Sequence, residues 1–298
     1  VLLVASQFDR YLLEESGYLA EILQEEYSVL NLSQAPRIIH SPDANDALSL
    51  LASRNFDLVI TMTNVGTMDA YAFARLVKGQ QADLPVVMLS QNTRELATLR
   101  TGDGIDRIFV WGGDSRILLS ICKLIEDERN VENDVRDGDV QVILLVEDSR
   151  RFYSAYLPLL YTQLVRQTTR LMGEGGNLHE KLLRLRARAK ILLASDMTSA
   201  KEIIDKYSRN LIGVFTDGRF PHQGGERDTA GLELVRYAQS GHRYLPILLQ
   251  SKNLELKEAA EGLGVRFLHK EDPSLYQRIE EFMLEEMGFG EFIFRKPD

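Results

Sequence analysis

The chain has 298 residues, of which 44% are hydrophobic and 27% charged, a composition typical of folded globular proteins. Its formal net charge of −9 argues against nucleic acid as a direct partner, because the phosphate backbone attracts a basic surface. There is one cysteine and no apolar run of the ~20 residues that span a bilayer, so we expect a cytoplasmic protein without a membrane partner.

Short apolar runs alternate with amphipathic segments along the first half, the pattern of a parallel sheet covered by helices. The predicted strands are 1–5, 37–40, 57–62, 85–89 and 107–110. The predicted helices are 9–24, 43–53, 70–78, 93–101 and 114–128. These elements indicate a first domain over residues 1–130.

A charged segment follows at 127–139 and includes Gly138. It is the natural boundary between two domains. The alternative is that it extends the preceding helix, because the sequence Glu-Asp-Glu-Arg at 126–129 continues a pattern that favours helix.

The second half repeats the alternation of strands and helices. The predicted strands are 141–146, 190–194, 211–216, 246–250 and 266–269. The predicted helices are 151–172, 178–188, 199–207, 229–239, 254–263 and 274–287. We expect a second domain over residues 139–298, with an extended helical insertion after its first strand.

The two halves align as an internal repeat. The segment LPVVMLS at 84–90 corresponds to LPILLQS at 245–251, and NFDLVITM at 55–62 corresponds to NLIGVFTD at 210–217. The predicted fold class is therefore α/β: two flavodoxin-like (βα)5 domains in tandem, each with a doubly wound parallel sheet.

Ligands of an open parallel sheet bind outside the carboxyl ends of its strands, which makes the residues there the candidates for function. In the second half these are Glu147 and Asp148 after the first strand, Asp217 after the third, Ser251 after the fourth and Lys270 after the fifth. Three converging carboxylates repel one another, and a hard divalent cation such as Mg²⁺ relieves that repulsion. We expect Asp217 to be the nucleophile for a phosphoryl group whose oxygens Ser251 and Lys270 hold.

This set of residues resembles the motifs of two-component response-regulator receiver domains. That family has an acidic pair after strand one, a phosphoacceptor aspartate with proline four residues later, Ser or Thr after strand four and Lys after strand five. The matching residues, in chain order, are Glu147, Asp148, Asp217, Pro221, Ser251 and Lys270. Five motif matches in order, with the acidic pair counted as one, are on a five-strand pattern more specific than any one of them alone.

The resemblance implies a phosphorelay module that takes a phosphoryl group from a histidine kinase or a phosphotransfer protein. It implies the backbone carbonyl of Arg219 as a further magnesium ligand and Phe267 as the aromatic switch residue that moves with Ser251. Catalysis would extend only to the module's own phosphorylation and dephosphorylation, and a homodimer is among the partners implied. The long polar loop at 222–228 departs from the family and leaves the dimer face and the kinase open.

The first half resembles the same family without its chemistry. The equivalent positions hold Ala5, Ser6, Met62, Gly66 and Trp111, and Ser90 alone keeps its type. A thioether cannot accept a phosphoryl group, and no carboxylates stand where the metal would be held. We interpret residues 1–130 as a pseudo-receiver domain that lacks the phosphorylation residues.

The tandem also resembles, more loosely, the amino-terminal regulatory region of proteins related to phosphoenolpyruvate synthase and pyruvate phosphate dikinase. The residues concerned are Phe220-Pro221, the helix at 151–172 and the closing segment 288–295. This resemblance implies a longer protein with a fused effector or enzyme domain beyond residue 298.

Two other interpretations remain open at the level of sequence. The chain could be an interaction or dimerisation scaffold that is never phosphorylated and regulates a fused phosphotransfer enzyme. It could also be a phosphatase with an aspartyl nucleophile, but that class needs a second aspartate two residues after the first, where this chain has Arg219.

Overall fold

The computed structural model describes residues 1–15, 36–173, 188–222, 225–242 and 244–287. The strands in chain order are β1 (Leu2–Val4), β2 (Ile39–Ser41), β3 (Val59–Met62), β4 (Asn64–Val65), β5 (Met68–Asp69), β6 (Val86–Ser90), β7 (Arg107–Val110), β8 (Val142–Val146), β9 (Lys190–Ala194), β10 (Leu211–Asp217), β11 (Phe220–His222), β12 (Gly225–Arg227), β13 (Ile247–Ser251) and β14 (Arg266–His269). The helices are α1 (Gln7–Glu15), α2 (Ala44–Ser53), α3 (Ala70–Gln80), α4 (Arg116–Gly138), α5 (Arg150–Gly173), α6 (Met197–Lys206), α7 (Ala230–Gly241), α8 (Leu256–Gly262) and α9 (Leu275–Glu285). Positions 16–24 of the first predicted helix and 178–187 of the helix after the glycines lie outside the described residues.

Two five-stranded parallel sheets organise the described chain. Their strand orders are β2-β1-β3-β6-β7 and β9-β8-β10-β13-β14, so each sheet follows the order 2-1-3-4-5 of a doubly wound fold. Two short antiparallel pairs, β4 with β5 and β11 with β12, extend the loops after the third strands. The predicted fold class, two flavodoxin-like α/β domains, is confirmed.

The chain divides into two compact units. Unit 1 comprises Val1–Ile125 and Arg150–Pro158, and unit 2 comprises the described residues of Glu126–Ser149 and Leu159–Asp298. This grouping differs from the predicted boundaries in two respects: unit 2 already begins at Glu126, and Arg150–Pro158 follows the first strand of unit 2 but belongs to unit 1.

The strands of unit 2 are apolar on both faces, as a covered parallel sheet requires. Val142, Leu144 and Val146 of β8 face the core beneath α6 and α7, and the intervening residues of β8 are buried as well. In the five strands of this sheet, polar side chains occur only at the first residue or among the last two. No helix of the described chain is both long and apolar enough to cross a membrane.

The charged segment at 127–139 is helical, as the alternative interpretation predicted. Helix α4 continues to Gly138, and Asp139 then adopts a positive φ of 48° that ends it. Aspartate tolerates this left-handed conformation better than most residues, and its carboxylate accepts a hydrogen bond from Asn210 at 2.7 Å.

The helix predicted at 93–101 is wrong, since this stretch forms only a 3₁₀ turn over Glu95–Ala97. The side chain of Asn92 accepts the N–H of Arg94 at 2.9 Å, a local bond that competes with helix formation. The guanidinium of Arg150 bonds the carbonyls of Leu96 and Leu99, the first of which a regular helix over 93–101 would use internally.

Candidate functional site

The carboxyl ends of four strands place polar side chains at one edge of the unit 2 sheet. Glu147 and Asp148 directly follow β8, Asp217 ends β10, Ser251 ends β13 and Lys270 follows β14. β8 and β10 flank the point at which the strand order reverses, where doubly wound folds bind their ligands.

Lys270 lies between two carboxylates. Its Nζ is 2.6 Å from Oε2 of Glu147 and 2.6 Å from Oδ2 of Asp217. The side chains of Lys270 and Glu147 are only 3% and 1% exposed, so water screens these charges little. One ammonium cannot neutralise both carboxylates, and the pocket keeps an excess of negative charge.

The carboxylates of Glu147, Asp148 and Asp217 each offer one oxygen, and these oxygens lie within 4.8 Å of one another. No other group of three potential ligands of this kind occurs in the part of the chain that the structure describes. Magnesium prefers oxygen ligands and takes one or two protein carboxylates, so the donor set fits this ion. The side chain of Arg219 pairs with Asp228 at 3.7 Å, and the role of its carbonyl as a ligand stays a prediction.

Burial raises the pKa of Glu147 to about 8, because desolvation of the carboxylate outweighs the favourable charge of Lys270. The negative charge of Asp217 adds to the rise. The amide of Ser149 donates to Oε1 of Glu147 at 3.1 Å, and this hydrogen bond lowers the pKa of Glu147 in part. Near neutral pH, the metal-free pocket therefore favours a protonated Glu147.

Magnesium binding is expected to strengthen as the pH rises from about 6 to about 8, because Glu147 must lose its proton before it coordinates a cation. The charged groups that face it are Lys270, Asp217 and Asp148. Calorimetric titration in two buffers with different ionisation enthalpies would measure the proton released. Glu147→Gln is the control and should bind more weakly without this proton release; a wild-type affinity that does not change with pH would contradict the prediction.

The raised pKa of Glu147 also makes the free energy of unfolding depend on pH. A pKa above the ordinary 4.5 means that the folded state holds the proton more tightly than the unfolded chain does. Stability contributed by protonated Glu147 is fully present below about pH 4.5 and is lost as the pH rises through about 8. We expect magnesium to stabilise the protein most at the upper end of this range.

Ser251 is hydrogen-bonded to the backbone of Lys270 and lies beside the residue that follows Asp217. Its Oγ accepts the N–H of Asn253 at 3.1 Å, and its carbonyl accepts the N–H of Lys270 at 3.0 Å. A Cβ atom added to Gly218 would lie 2.8 Å from the Ser251 Oγ. The hydroxyl therefore lies directly beside the residue that follows Asp217.

Gly231 allows the first turn of α7 to touch the backbone of Asp217. A Cβ at this position would lie 2.3 Å from the Asp217 carbonyl oxygen and 2.8 Å from the Gly218 Cα. Sequence-based reasoning did not identify this residue; the available signal was a glycine in the first turn of a regular helix.

Gly231→Ala is expected to lower the free energy of unfolding by about 1–3 kcal/mol, because backbone atoms must move to admit the methyl group. The matched control is Gly241→Ala in the same helix, where a Cβ meets nothing within 4 Å and the change should stabilise by up to about 1 kcal/mol. Urea unfolding would measure both. Equal effects of the two substitutions would show that the contact with Asp217 is not tight.

The segment after Asp217, predicted as a polar loop, forms a hairpin. In it β11 pairs antiparallel with β12, and Phe220 lies opposite Arg227. Phe220 is buried in the core, and Pro221 follows it within β11. Phe267 lies half-buried in the edge strand β14 against the same core, and its assignment as a switch residue stays a prediction.

The equivalent positions of unit 1 lack carboxylates. Ala5, Met62 and Ser90 are buried at the ends of β1, β3 and β6. Ser6 exchanges hydrogen bonds with Asp9 at 2.7 and 3.1 Å and so caps α1. These contacts are structural, and the interpretation of unit 1 as a pseudo-receiver stays a prediction.

No protein-family model matches the chain, and the comparison with curated proteins gave no match either. Among solved structures, it is similar to the signal receiver domain of an HD domain-containing protein from Pseudomonas fluorescens Pf-5, with 25% identity over 45% of this chain and 90% of that one and a TM-score of 0.32. It is also similar to a probable two-component system response regulator/GGDEF domain protein, with 13% identity over 97% of this chain and 98% of that one and a TM-score of 0.38. Both neighbours are signal receiver or response-regulator proteins, and their overall similarity to this chain is low.

Proposed function

We propose that the chain is a phosphorelay regulatory module in which unit 2 accepts a phosphoryl group on Asp217 in the presence of magnesium. The observation that supports it most strongly is the Lys270 ammonium, which lies 2.6 Å from both Glu147 and Asp217 within a cluster of three carboxylates. An ion pair alone would need only one carboxylate. The excess of acid is the feature that a divalent cation and a phosphoryl acceptor explain together.

Each residue of the pocket has a defined part in this chemistry. A carboxylate oxygen of Asp217 attacks the phosphorus of the donor, and the new O–P bond forms as the bond to the leaving group breaks and its electron pair stays with that group. Bound magnesium, held by Glu147, Asp148 and Asp217, would offset the negative charge of the incoming group. Lys270 is close enough to pair with a phosphoryl oxygen, and the Ser251 hydroxyl is placed to donate a hydrogen bond to another.

The proposal defines the partners by their chemistry. A phosphohistidine of a histidine kinase or a phosphotransfer protein is the donor, and the phosphorylated unit 2 alters its contacts with a downstream effector. The module catalyses no reaction beyond its own phosphorylation and hydrolysis. Unit 1, whose described residues include no such acidic cluster, takes no phosphoryl group.

Incubation with magnesium and acetyl phosphate, followed by intact mass measurement, tests the proposal. We expect the wild-type chain to gain one phosphoryl group, because Asp217 lies within reach of the cation ligands. Omission of magnesium should abolish the gain, as should Asp217→Asn.

The matched control is Asp228→Asn, which changes an exposed aspartate near the same loop and should leave uptake intact. If the wild-type protein is folded and binds magnesium but gains no mass, the phosphorelay proposal is wrong. The interaction scaffold would then be favoured.

A further inference from the structure

The first turns of α5 directly follow the acidic pair, yet they belong to the other unit. Ser149 comes after Glu147 and Asp148, and α5 begins at the next residue, Arg150. The chain passes from unit 2 to unit 1 between Ser149 and Arg150 and returns after Pro158. Two residues of the pocket are thus joined by covalent bonds, through one serine, to a segment of unit 1.

Buried polar contacts hold this segment to β7, an edge strand of the unit 1 sheet. The hydroxyl of Tyr153 donates to the carbonyl of Ile108, and the N–H of Val110 donates to the Oγ of Ser154 at 3.0 Å. Tyr153 and Ser154 are both buried, and the Tyr153 ring meets Phe109 edge to face at 5.3 Å. Buried polar groups are costly to separate from their partners, so this part of α5 and β7 move together.

Arg150 adds a charged anchor at the first residue of α5. Its Nη1 donates to the carbonyls of Leu96 and Leu99 at 2.8 and 2.6 Å. Hydrogen bonds from a charged donor are stronger than neutral ones. The start of the helix is therefore fixed within unit 1 at the position closest along the chain to the acidic pair.

The other end of the connection is the Glu147 carboxylate. Its Oε2 contacts Lys270, and its Oε1 accepts the N–H of Ser149 at 3.1 Å. A cation that takes an oxygen of Glu147 competes with these bonds. Occupancy of the pocket therefore acts directly on Ser149, the residue before α5.

A proline marks the end of the anchored segment. Pro158 lies inside α5 and has no amide hydrogen to donate to the carbonyl of Ser154, and helices bend at such positions. The unit assignment changes directly after it. One backbone hydrogen bond of the helix is therefore missing where the anchored segment ends.

We propose that Arg150–Pro158 is a coupling element that transmits the state of the acidic pocket to β7 of unit 1. The inference rests on the proposed function, because it takes cation binding and phosphorylation as the events at the pocket. Arg150, Tyr153 and Ser154 are positioning residues that act through Ser149 and do not touch the reacting atoms. The pseudo-receiver thereby holds and senses the segment that follows the metal ligands.

Trp111 reports on this coupling, because it is the only tryptophan of the chain and directly follows Val110. Magnesium titration should change its fluorescence with the same midpoint as the heat of magnesium binding. Asp217→Asn should remove both signals. Hydrogen–deuterium exchange of residues 107–111 in the wild-type protein, with and without magnesium, gives a second readout that needs no variant.

Ser154→Ala should still bind magnesium by calorimetry but lose most of the Trp111 response. The matched control is Ser120→Ala, a buried serine that bonds the Arg116 carbonyl of its own helix, and it should respond like the wild type. Magnesium binding without any change in Trp111 emission or in exchange at 107–111 would overturn the coupling alone, as would equal responses of the two variants. Absence of magnesium binding to the wild type would instead overturn the proposed function and the coupling with it.

Discussion

Asp127→Asn is expected to lower the free energy of unfolding by about 3–5 kcal/mol, because it leaves the buried guanidinium of Arg188 without its counter-charge. Asp127 is fully buried in unit 2 and accepts hydrogen bonds from Arg188, from the Tyr161 hydroxyl at 3.0 Å and from the Ile191 amide at 3.0 Å. Lys190 lies 3.6 Å away. Burial disfavours the charge on Arg188, yet Asp127 outweighs it and raises the pKa of the guanidinium.

Asparagine keeps the shape of the side chain but replaces one acceptor oxygen with an NH2 group that faces hydrogen-bond donors, so the measured effect combines the lost charge with lost hydrogen bonds. Urea unfolding followed by circular dichroism would measure the effect. The matched control is Glu132→Gln on the same helix, whose exposed pair with Lys206 should contribute less than about 1 kcal/mol. If the two substitutions cost the same, the buried network does not stabilise unit 2.

Lys270→Met is the second substitution with a large expected effect. It removes the ammonium between Glu147 and Asp217, and loss of one partner from a buried ion pair typically costs about 3–5 kcal/mol. In the metal-free protein we expect a loss of up to this size that grows as the pH rises above about 8, because the wild type then gains the ion pair, whereas the variant lacks the ammonium that lowers the pKa of Glu147 and holds the proton to a higher pH. Saturating magnesium should restore part of the stability, because it binds only the folded pocket.

Unfolding curves with a chelator and with magnesium would show this dependence. Lys252→Met serves as the matched control, since Lys252 pairs with Glu271 at the surface and should contribute less than about 1 kcal/mol. If Lys270→Met and Lys252→Met were equally stable in the presence of the chelator, Lys270 would not stabilise a charged, buried pocket.

The parallel sheets could be predicted because buried strands in such sheets are apolar on both faces and form short unbroken apolar runs. β7, β9 and β14 begin and end at the predicted residues, and the other strands of the two sheets differ by no more than two residues at either end. The residues of the pocket could be predicted from the same apolar runs, because each of them stands at or just past the end of one. Convergence of Asp217 with Glu147 and Lys270 needed only the rule that parallel strands share one carboxyl edge.

Two features could not be predicted because they depend on contacts far apart in sequence. The periodicity of 151–172 shows which face of that helix is apolar but not which sheet it covers, so the assignment of Arg150–Pro158 to unit 1 was missed. Asp127 lies in a charged segment that is typical of a linker, and only folding places Arg188 beside it. Arg150 also lies far along the chain from 93–101, where its bonds to the carbonyls of Leu96 and Leu99 accompany the 3₁₀ turn that forms in place of the predicted helix.

The location of the phosphoryl group tests the central claim most directly. After reaction with acetyl phosphate and magnesium, borohydride reduction converts an aspartyl phosphate to homoserine, which peptide sequencing by mass spectrometry locates. We expect homoserine at position 217 and nowhere in residues 1–130. A phosphoryl group on another residue, or none on a folded protein that binds magnesium, would contradict it.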